Sequence, residues 1–401
     1  MRHLTLLLLI FTAPIVGFAQ DSIPKPAKSS LEDIAKYETS NKDFTVKGSG
    51  RLFIDYGYLS ENTTFQENYG ALEDSNLLRL KSAEFNVSGT LFQNTEFKFK
   101  AEFAGNKVSV REGFVGFKNL PGVGTLRVGY IYEPLRFSSL SSSKYSSFME
   151  RSKNHGFSPK NNLGAVVFND FLNDRLSAQA GVFHNGSNSK DNLQDNDGYA
   201  ITSRVVGLPY VGEQKLLHLG AGFSYRKPDS KEYVIPSAIG SYLSDKKLKA
   251  EVLSDVNNIN LLNLEAVYIH KAVAFQTEYI IANVHTDLHN FQFWNYYAEV
   301  SWFLTGESKN YSGGYKGFSR LKPNRNFGSD KNGTGAWEIA GRYSKTDLTD
   351  GMVQGGIQSE FLLGLNWYLN PYTRLMIDYI HTDLEDNNKM DVIQARLQVD
   401  L

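Results

Sequence analysis

Residues 95–103 read Thr-Glu-Phe-Lys-Phe-Lys-Ala-Glu-Phe. Phe97, Phe99, Ala101 and Phe103 alternate with Glu96, Lys98, Lys100 and Glu102. Strict period-two alternation, with a charge at every second residue, specifies a strand with one apolar face and one strongly polar face. Two further strands are predicted near VSVREGFVGF and TLRVGYIY, followed by a long segment, 133–160, rich in serine and basic residues. Three such strands fit a soluble sandwich as well as a membrane barrel. The same alternation, however, runs to the end of the chain. LHLGAGFSYR sets Leu217, Leu219, Ala221, Phe223 and Tyr225 on one side. VIQARLQVDL sets Ile393, Ala395, Leu397, Val399 and Leu401 against Gln394, Arg396, Gln398 and Asp400. A sandwich would turn the apolar face inward. An outer-membrane barrel turns it out to lipid and keeps a polar lumen.

Composition narrows the choice. Among 401 residues there is no cysteine, which removes thiol nucleophiles, thiolate metal sites and disulfides. The formal net charge of −1 excludes nucleic-acid binding by bulk electrostatics. The first twenty residues carry Arg2 and His3, an apolar run from Leu4 to Val16, and small residues before Asp21. This pattern predicts a secretory signal cleaved after Ala19 or Gln20. No later stretch is apolar enough for a transmembrane helix, so a membrane form must be a closed barrel, which satisfies every backbone group internally.

Residues 21–43 read as a polar periplasmic tether, with a helical turn or two over SSLEDIAKYE capped by Ser30. From Phe44 to Leu401 the alternation predicts sixteen strands, near 44–58, 77–90, 94–104, 108–118, 124–132, 161–170, 175–184, 199–206, 215–226, 262–270, 272–281, 296–304, 335–344, 357–370, 372–382 and 391–401. The connections alternate between short turns and long loops, the outer-membrane pattern. Two break it. The gap at 105–107 is short for an external loop, and 305–334 is too long for a periplasmic turn, so either the strand count slips there or that segment folds into the barrel.

The run from Phe97 to Ser152, with Glu133, Pro134, Leu135, Tyr145 and Phe148 to Arg151, resembles the phosphate-selective porin O and P family. So do LTGESKNYSGGYKGFSRLKPNRNF and GAWEIAGRYSKTDL. The resemblance covers about residues 44–401. It implies an all-β transmembrane antiparallel barrel of about sixteen strands, trimeric, embedded in outer-membrane lipid, passing small phosphate-like anions past inward-folded constriction loops. Two segments fit that expectation. Residues 133–160 hold Arg136, Lys144, Arg151, Lys153 and Lys160 against Glu133 and Glu150. Residues 305–334 hold Lys309, Lys316, Arg320, Lys322, Arg325 and Lys331 against Glu307 and Asp330. Where the family shows an arginine-dense strand, this chain has only Arg79 and Lys81, and it ends in Leu401 rather than Phe or Trp.

The expected anion-facing constriction is therefore Arg136, Lys144, Arg151 and Lys153. Arg79, Lys81, Lys98, Lys100, Arg111 and Arg127 are expected to line the pore, and Lys316, Arg320, Lys322 and Arg325 belong to the second inward segment. Arginine holds phosphate with two parallel hydrogen bonds, whereas lysine acts as a point charge. The competing reading for strand cations is pairing with Glu96, Glu102 and Glu112 along a solvated wall. Glu96, Glu102, Glu265, Glu278, Glu299, Glu338 and Asp378 also fall on lumen faces and argue against strict phosphate selectivity. Other motifs are weak. His285 and His289 in HTDLH have zinc spacing only on a helix. DNLQDNDG at 191–198 lacks the closing Glu of a calcium loop. GVGTLRVG precedes a strand, not a helix, and is no nucleotide fingerprint. No catalytic constellation, metal site or cofactor is expected. The alternative from a different class is a secreted carbohydrate-binding or hydrolytic β protein, stacking sugars on Trp294, Trp302 and Trp337.

Overall fold

A computed structural model describes residues 36–153, 156–185, 198–248, 252–328 and 333–401. The alternating runs form sixteen antiparallel strands of one sheet. They are β1 (Phe44–Glu61), β2 (Asn76–Leu91), β3 (Thr95–Glu102) and β4 (Ser109–Leu120). Next come β5 (Gly124–Tyr132), β6 (Asn161–Phe171), β7 (Leu176–His184) and β8 (Tyr199–Gly212). The second half holds β9 (Lys215–Lys227), β10 (Val256–His270), β11 (Val273–Thr286) and β12 (Asn290–Phe303). Last are β13 (Ala336–Asp350), β14 (Val353–Asn370), β15 (Thr373–Leu384) and β16 (Asn388–Asp400). Each strand pairs with its neighbours in sequence, and β16 pairs with β1 from Met390↔Glu61 to Asp400↔Arg51. The sheet is a closed barrel, so no long edge is left unpaired.

Burial settles which face is which. On β1, Leu52, Ile54, Tyr56 and Tyr58 are exposed, while Phe53, Asp55, Gly57 and Leu59 are buried. The greasy face is the outer one. All four tryptophans, Trp294, Trp302, Trp337 and Trp367, share the face of the exposed Val300, Ile339 and Leu365. They sit on the outer wall near strand ends, as a membrane-interface girdle does. This is no place for sugar stacking beside inward acids.

All sixteen strands occur in the expected order. The main departures lie where β10 to β14 run past the expected limits at their long-loop ends. There the outer face of VNNIN, VHT, NFQF and KTDLTD has left the apolar zone and is polar, while Val256, Ile259, Val284, Phe293 and Leu348 turn inward onto the packed loops, so an apolar outer face no longer marks the strand. β8 also continues past Val206 through Pro209. The proline is tolerated because the register with β9 slips there, between Leu217 and Leu219. Lys36–Glu38, expected to be helical or tether, pairs with β1 instead. It covers the stretch of β1 that extends past the end of β16. DNLQDNDG and most of the tether lie outside the described residues.

One end of the barrel carries short turns at 92–94, 121–123, 172–175, 213–214, 271–272 and 371–372. The other end carries the longer loops 62–75, 133–160, 185–198 and 228–255. Loops 133–160 and 228–255 fold into the lumen from that end, and segment 304–335 enters from the short-turn end. Leu135, Phe148 and Phe157 of the first loop and Ile235, Ile239 and Leu243 of the second form one buried apolar cluster with inward residues of β10, β11 and β14. Full burial of such side chains stabilises by about 1.5–3 kcal/mol each, enough to hold loops inside a barrel that water would otherwise fill.

Candidate pore and its constriction

A buried loop must find partners for its backbone. Among its described residues loop 133–160 has little regular structure, with one short helical turn at Phe137–Leu140 and a tighter one at Ser143–Tyr145. The barrel wall supplies the partners. Glu265 of β10 accepts the Phe137 N–H at 2.7 Å, and Glu278 of β11 accepts Ser138 N–H at 2.8 Å and its Oγ–H at 2.6 Å. Asp378 of β15 accepts Met149 N–H at 2.8 Å. Arginines take the carbonyls: Arg374 donates to Ser146, Arg396 to Met149 and Arg342 to Glu150, at 2.8, 3.0 and 2.9 Å. Gly222 of β9 lets the loop pass, since a Cβ there would lie 2.0 Å from the Leu135 carbonyl oxygen.

Segment 304–335 forms a strap across the lumen. Tyr311 Oη meets His218 Nδ1 of β9 at 2.8 Å, and the Gly314 carbonyl accepts from Arg204 of β8 at 2.7 Å. Tyr315 stacks on Phe168 of β6 with ring centroids 4.1 Å apart, and Arg127 of β5 lies 5.0 Å from the same Tyr315 ring. The strap then turns back at Gly317, whose φ of +70° suits glycine. Phe318 N–H donates to Ser141 Oγ at 2.8 Å, which locks the strap to the loop.

Together loop and strap fill the lumen beside β6 to β16. Beside β1 to β5 Phe53, Asp55, Leu59, Ser82 and Glu102 are buried as well, but Lys47, Arg51, Lys98 and Lys100 keep contact with water. The tip of the loop approaches this open wall. Arg51 of β1 donates to Ser143 Oγ at 3.0 Å and to Ser82 Oγ at 2.9 Å, and pairs with Glu84 at 3.1 Å. Lys144 lies 3.4 Å from Asp400 of β16, and Arg320 of the strap lies 2.5 Å from the same carboxylate. On β3, Lys98 pairs with Glu112 at 2.7 Å, and Lys100 sits 3.5 Å from Glu112 and 3.7 Å from Glu84. Burial pushes the Lys144 ammonium below its ordinary pKa, while Asp400 pulls the other way and Arg320 adds to the fall.

A closed sixteen-strand barrel narrowed by two loops and one strap is the geometry of a channel. The family model for phosphate-selective porin O and P matches residues 46–401. The chain belongs to the phosphate-selective porin O and P family. Porin O of Pseudomonas aeruginosa is 24% identical over 398 residues, covering 88% of this chain and 86% of that protein. Among solved structures, the anion-selective porin from Comamonas acidovorans superposes with a TM-score of 0.58 at 12% identity, over 89% of this chain and all of that one. The outer membrane channel DcaP of Acinetobacter baumannii gives 0.56 at 10% identity, over 92% and 100%. At such identities these two speak for the fold alone. The porin is an all-β barrel of the outer membrane, and its long-loop end is taken as external.

The expected constriction residues of the porin separate in space. Lys144 reaches the open wall. Arg136 does not: its guanidinium is wholly enclosed, 3.6 Å from Glu278. Burial pushes its pKa down and Glu278 opposes the fall. Arg151 folds back on its own loop, donating to the Ser138 and Ser141 carbonyls. Lys153 binds the Gly240 carbonyl and lies 3.4 Å from Glu360, behind the loop. Of the strand residues, Lys98, Lys100 and Arg127 line the open wall, with Arg127 also gripped by Glu96 at 2.6 Å. Arg79, Lys81 and Arg111 stand near the long-loop ends of β2 and β4. Arg79 and Arg111 are exposed, and the Lys81 ammonium lies 3.3 Å over the Tyr242 ring. Lys81 and Arg111 are each the extra residue of a bulge. Lys316 is exposed on the turn of the strap, while Lys322 and Arg325 sit exposed on its return limb.

The acids also divide. Glu265, Glu278, Glu299, Glu338 and Asp378 are buried behind the loop and strap, on the loop backbone or on Arg204, Arg342 and Lys309. Of the seven, only Glu96 and Glu102 belong to the open side. The objection they raised to anion passage applies mainly to a lumen without its loops. Two cations went unnoticed in the sequence, Lys47 and Arg51. The signal was there in Thr45, Lys47, Ser49 and Arg51, which share the inward face of Phe53 and Asp55. Among the described residues no group of three metal-ligating side chains occurs, and His285 binds Asn290 instead.

Proposed function

We propose that this porin lets small anions, phosphate and its condensed forms among them, diffuse passively through a basic constriction between the loop tip, the strap and the β1–β4 wall. The observation that carries the reading is the convergence of Arg51, Lys144 and Arg320 on one place, one from the wall, one from the loop and one from the strap. Lys98 and Lys100 stand on the neighbouring strand. A permeant ion must be held strongly enough to replace part of its hydration and weakly enough to leave. Cations that keep a minor part of their surface in water and are partly matched by acids meet both conditions. The name of the Comamonas porin, anion-selective, supports the sign of the selectivity. The chain acts as a channel and not as an enzyme. It is exported with a leader cleaved near residue 20 and assembles as a homotrimer. In support of the trimer, β2 to β7 carry no Trp, and Tyr only at Tyr130 and Tyr132, so this outer face lacks the girdle of β8 to β16.

The test is a reversal potential in planar bilayers under a potassium chloride gradient, with the purified trimer. Anion permeability above cation permeability is expected, reduced several-fold by Lys144→Gln. A non-selective or cation-selective channel would sink the basic constriction.

A further inference from the structure

Resting on that reading, we propose that the constriction meets its ion through lysine ammonium groups, and so sorts anions by charge rather than by the shape of phosphate. The guanidiniums near the constriction are already committed to the protein. Arg51 has a protein partner on Nε, Nη1 and Nη2: Ser82, Ser143 and Glu84. Arg320 gives Nη1 to the Pro371 carbonyl at 2.6 Å and Nη2 to Asp400. Arg127 gives Nε to Glu96 and lies against the rings of Phe114, Phe168 and Tyr315, at 4.5, 4.9 and 5.0 Å. The planar fork that reads an oxyanion with two parallel hydrogen bonds is thus spent on bracing loop and strap.

The ammonium groups are held more loosely. Lys98 and Lys100 retain 27% and 19% side-chain exposure and face Glu112 with rotatable donors to spare. Lys144 touches Asp400 only at 3.4 Å. Lys316 is exposed, and Lys47 faces inward on β1 below Arg51. An ammonium is a point charge on a flexible stem. It attracts chloride, sulfate, carboxylates and phosphate in proportion to their charge. Of the exposed guanidiniums, Arg79 and Arg111 stand at the outer ends of β2 and β4, where they raise the local anion concentration and do not form the narrowest point, and Arg325 sits on the return limb of the strap.

The experiment is block of the single-channel chloride current by added phosphate, sulfate and malonate, at a pH where all three carry two charges. Phosphate and the other dianions should block within about threefold of one another. Lys98→Gln with Lys100→Gln should lower the anion-to-cation permeability ratio about threefold or more. Block by phosphate at concentrations about tenfold below those of sulfate and malonate would overturn the inference and leave an anion porin standing. An unchanged ratio in the double lysine variant would overturn it too. A wild-type channel without anion preference would remove the underlying reading as well, and the reversal potential alone distinguishes that case.

Discussion

Lys98 on β3 and Glu338 on β13 point into the same barrel and live in different solvents. Lys98 keeps water and a single partner, Glu112. Glu338 is wholly buried, taking Ser147 Oγ–H at 2.7 Å, Tyr368 Oη–H at 2.9 Å and the Lys309 ammonium at 3.5 Å. The sequence patterns of the two strands are alike, with charge alternating against apolar residues. What separates them is a loop of 28 residues laid against one wall and not the other. On the β8–β16 side, inward charges serve as hydrogen-bonding partners for a backbone that has no ladder of its own. On the β1–β5 side, the same residue types keep contact with water, where the proposed constriction would use them. A charged lumen can therefore be half scaffold and half pore.

The largest effect should come from breaking the scaffold half. Glu278 accepts two hydrogen bonds from Ser138 and faces the enclosed guanidinium of Arg136. Glu278→Ala removes the carboxylate that faces that buried cation, and breaking a buried pair costs about 3–5 kcal/mol. The folded porin should lose its heat-resistant gel mobility at clearly lower temperature, with larger, noisier conductance as the loop detaches. Glu96→Ala, on the open wall, should cost about 1 kcal/mol or less, because water and the three rings still hold Arg127. Equal losses in the two variants would erase the distinction between the halves.

This division explains what the sequence could tell. The barrel was legible because lipid imposes period-two alternation on every strand, from Phe44 to Asp400. The length of 305–334 marked it as no ordinary turn, and the family resemblance together with its basic residues pointed it inward. The role of each loop cation was not. Arg136, Lys144, Arg151 and Lys153 look equivalent in a serine-rich run, and only the path of the backbone decides which is enclosed. Gly222, which admits the Leu135 carbonyl, and the wall acids under Phe137, Ser138 and Met149 set that path from strands more than 60 residues away in sequence. Arg51 and Lys47 were missed for the opposite reason. They precede the dense basic run and resemble the ordinary wall charges of any strand.

A smaller effect should follow from loosening the boundary between the halves. Tyr315 fixes the strap to the wall through its stack on Phe168 and its contact with Arg127. Removing the ring forfeits about 1–3 kcal/mol from these two interactions. Tyr315→Ala should keep the barrel folded, since Phe318 and Ser141 still join strap and loop. It should raise conductance and add flickering between sublevels. A channel indistinguishable from wild type would mean that the strap is held by its other contacts and that Tyr315 marks no boundary.

The smallest effect is a titration on the pore side. Burial, aided by Arg320, lowers the Lys144 pKa from the ordinary lysine value, against the pull of Asp400. Lys144 thus loses its proton at a lower pH than the exposed lysines. For a cation with a depressed folded pKa the charged form is disfavoured in the fold. Its cost to stability is fully present below the folded pKa and fades as pH rises through that value towards the unfolded one. Selectivity moves the other way, because deprotonation removes a positive charge from the constriction. Between about pH 7 and about pH 10, short of the usual lysine range near 10.4, anion preference should decline modestly. Lys144→Arg, which stays charged throughout, should flatten that decline. Lys153→Arg should not, because Lys153 lies behind the loop on Glu360 and Gly240. A decline that persists unchanged in Lys144→Arg would assign the titrating charge to another ammonium of the open wall.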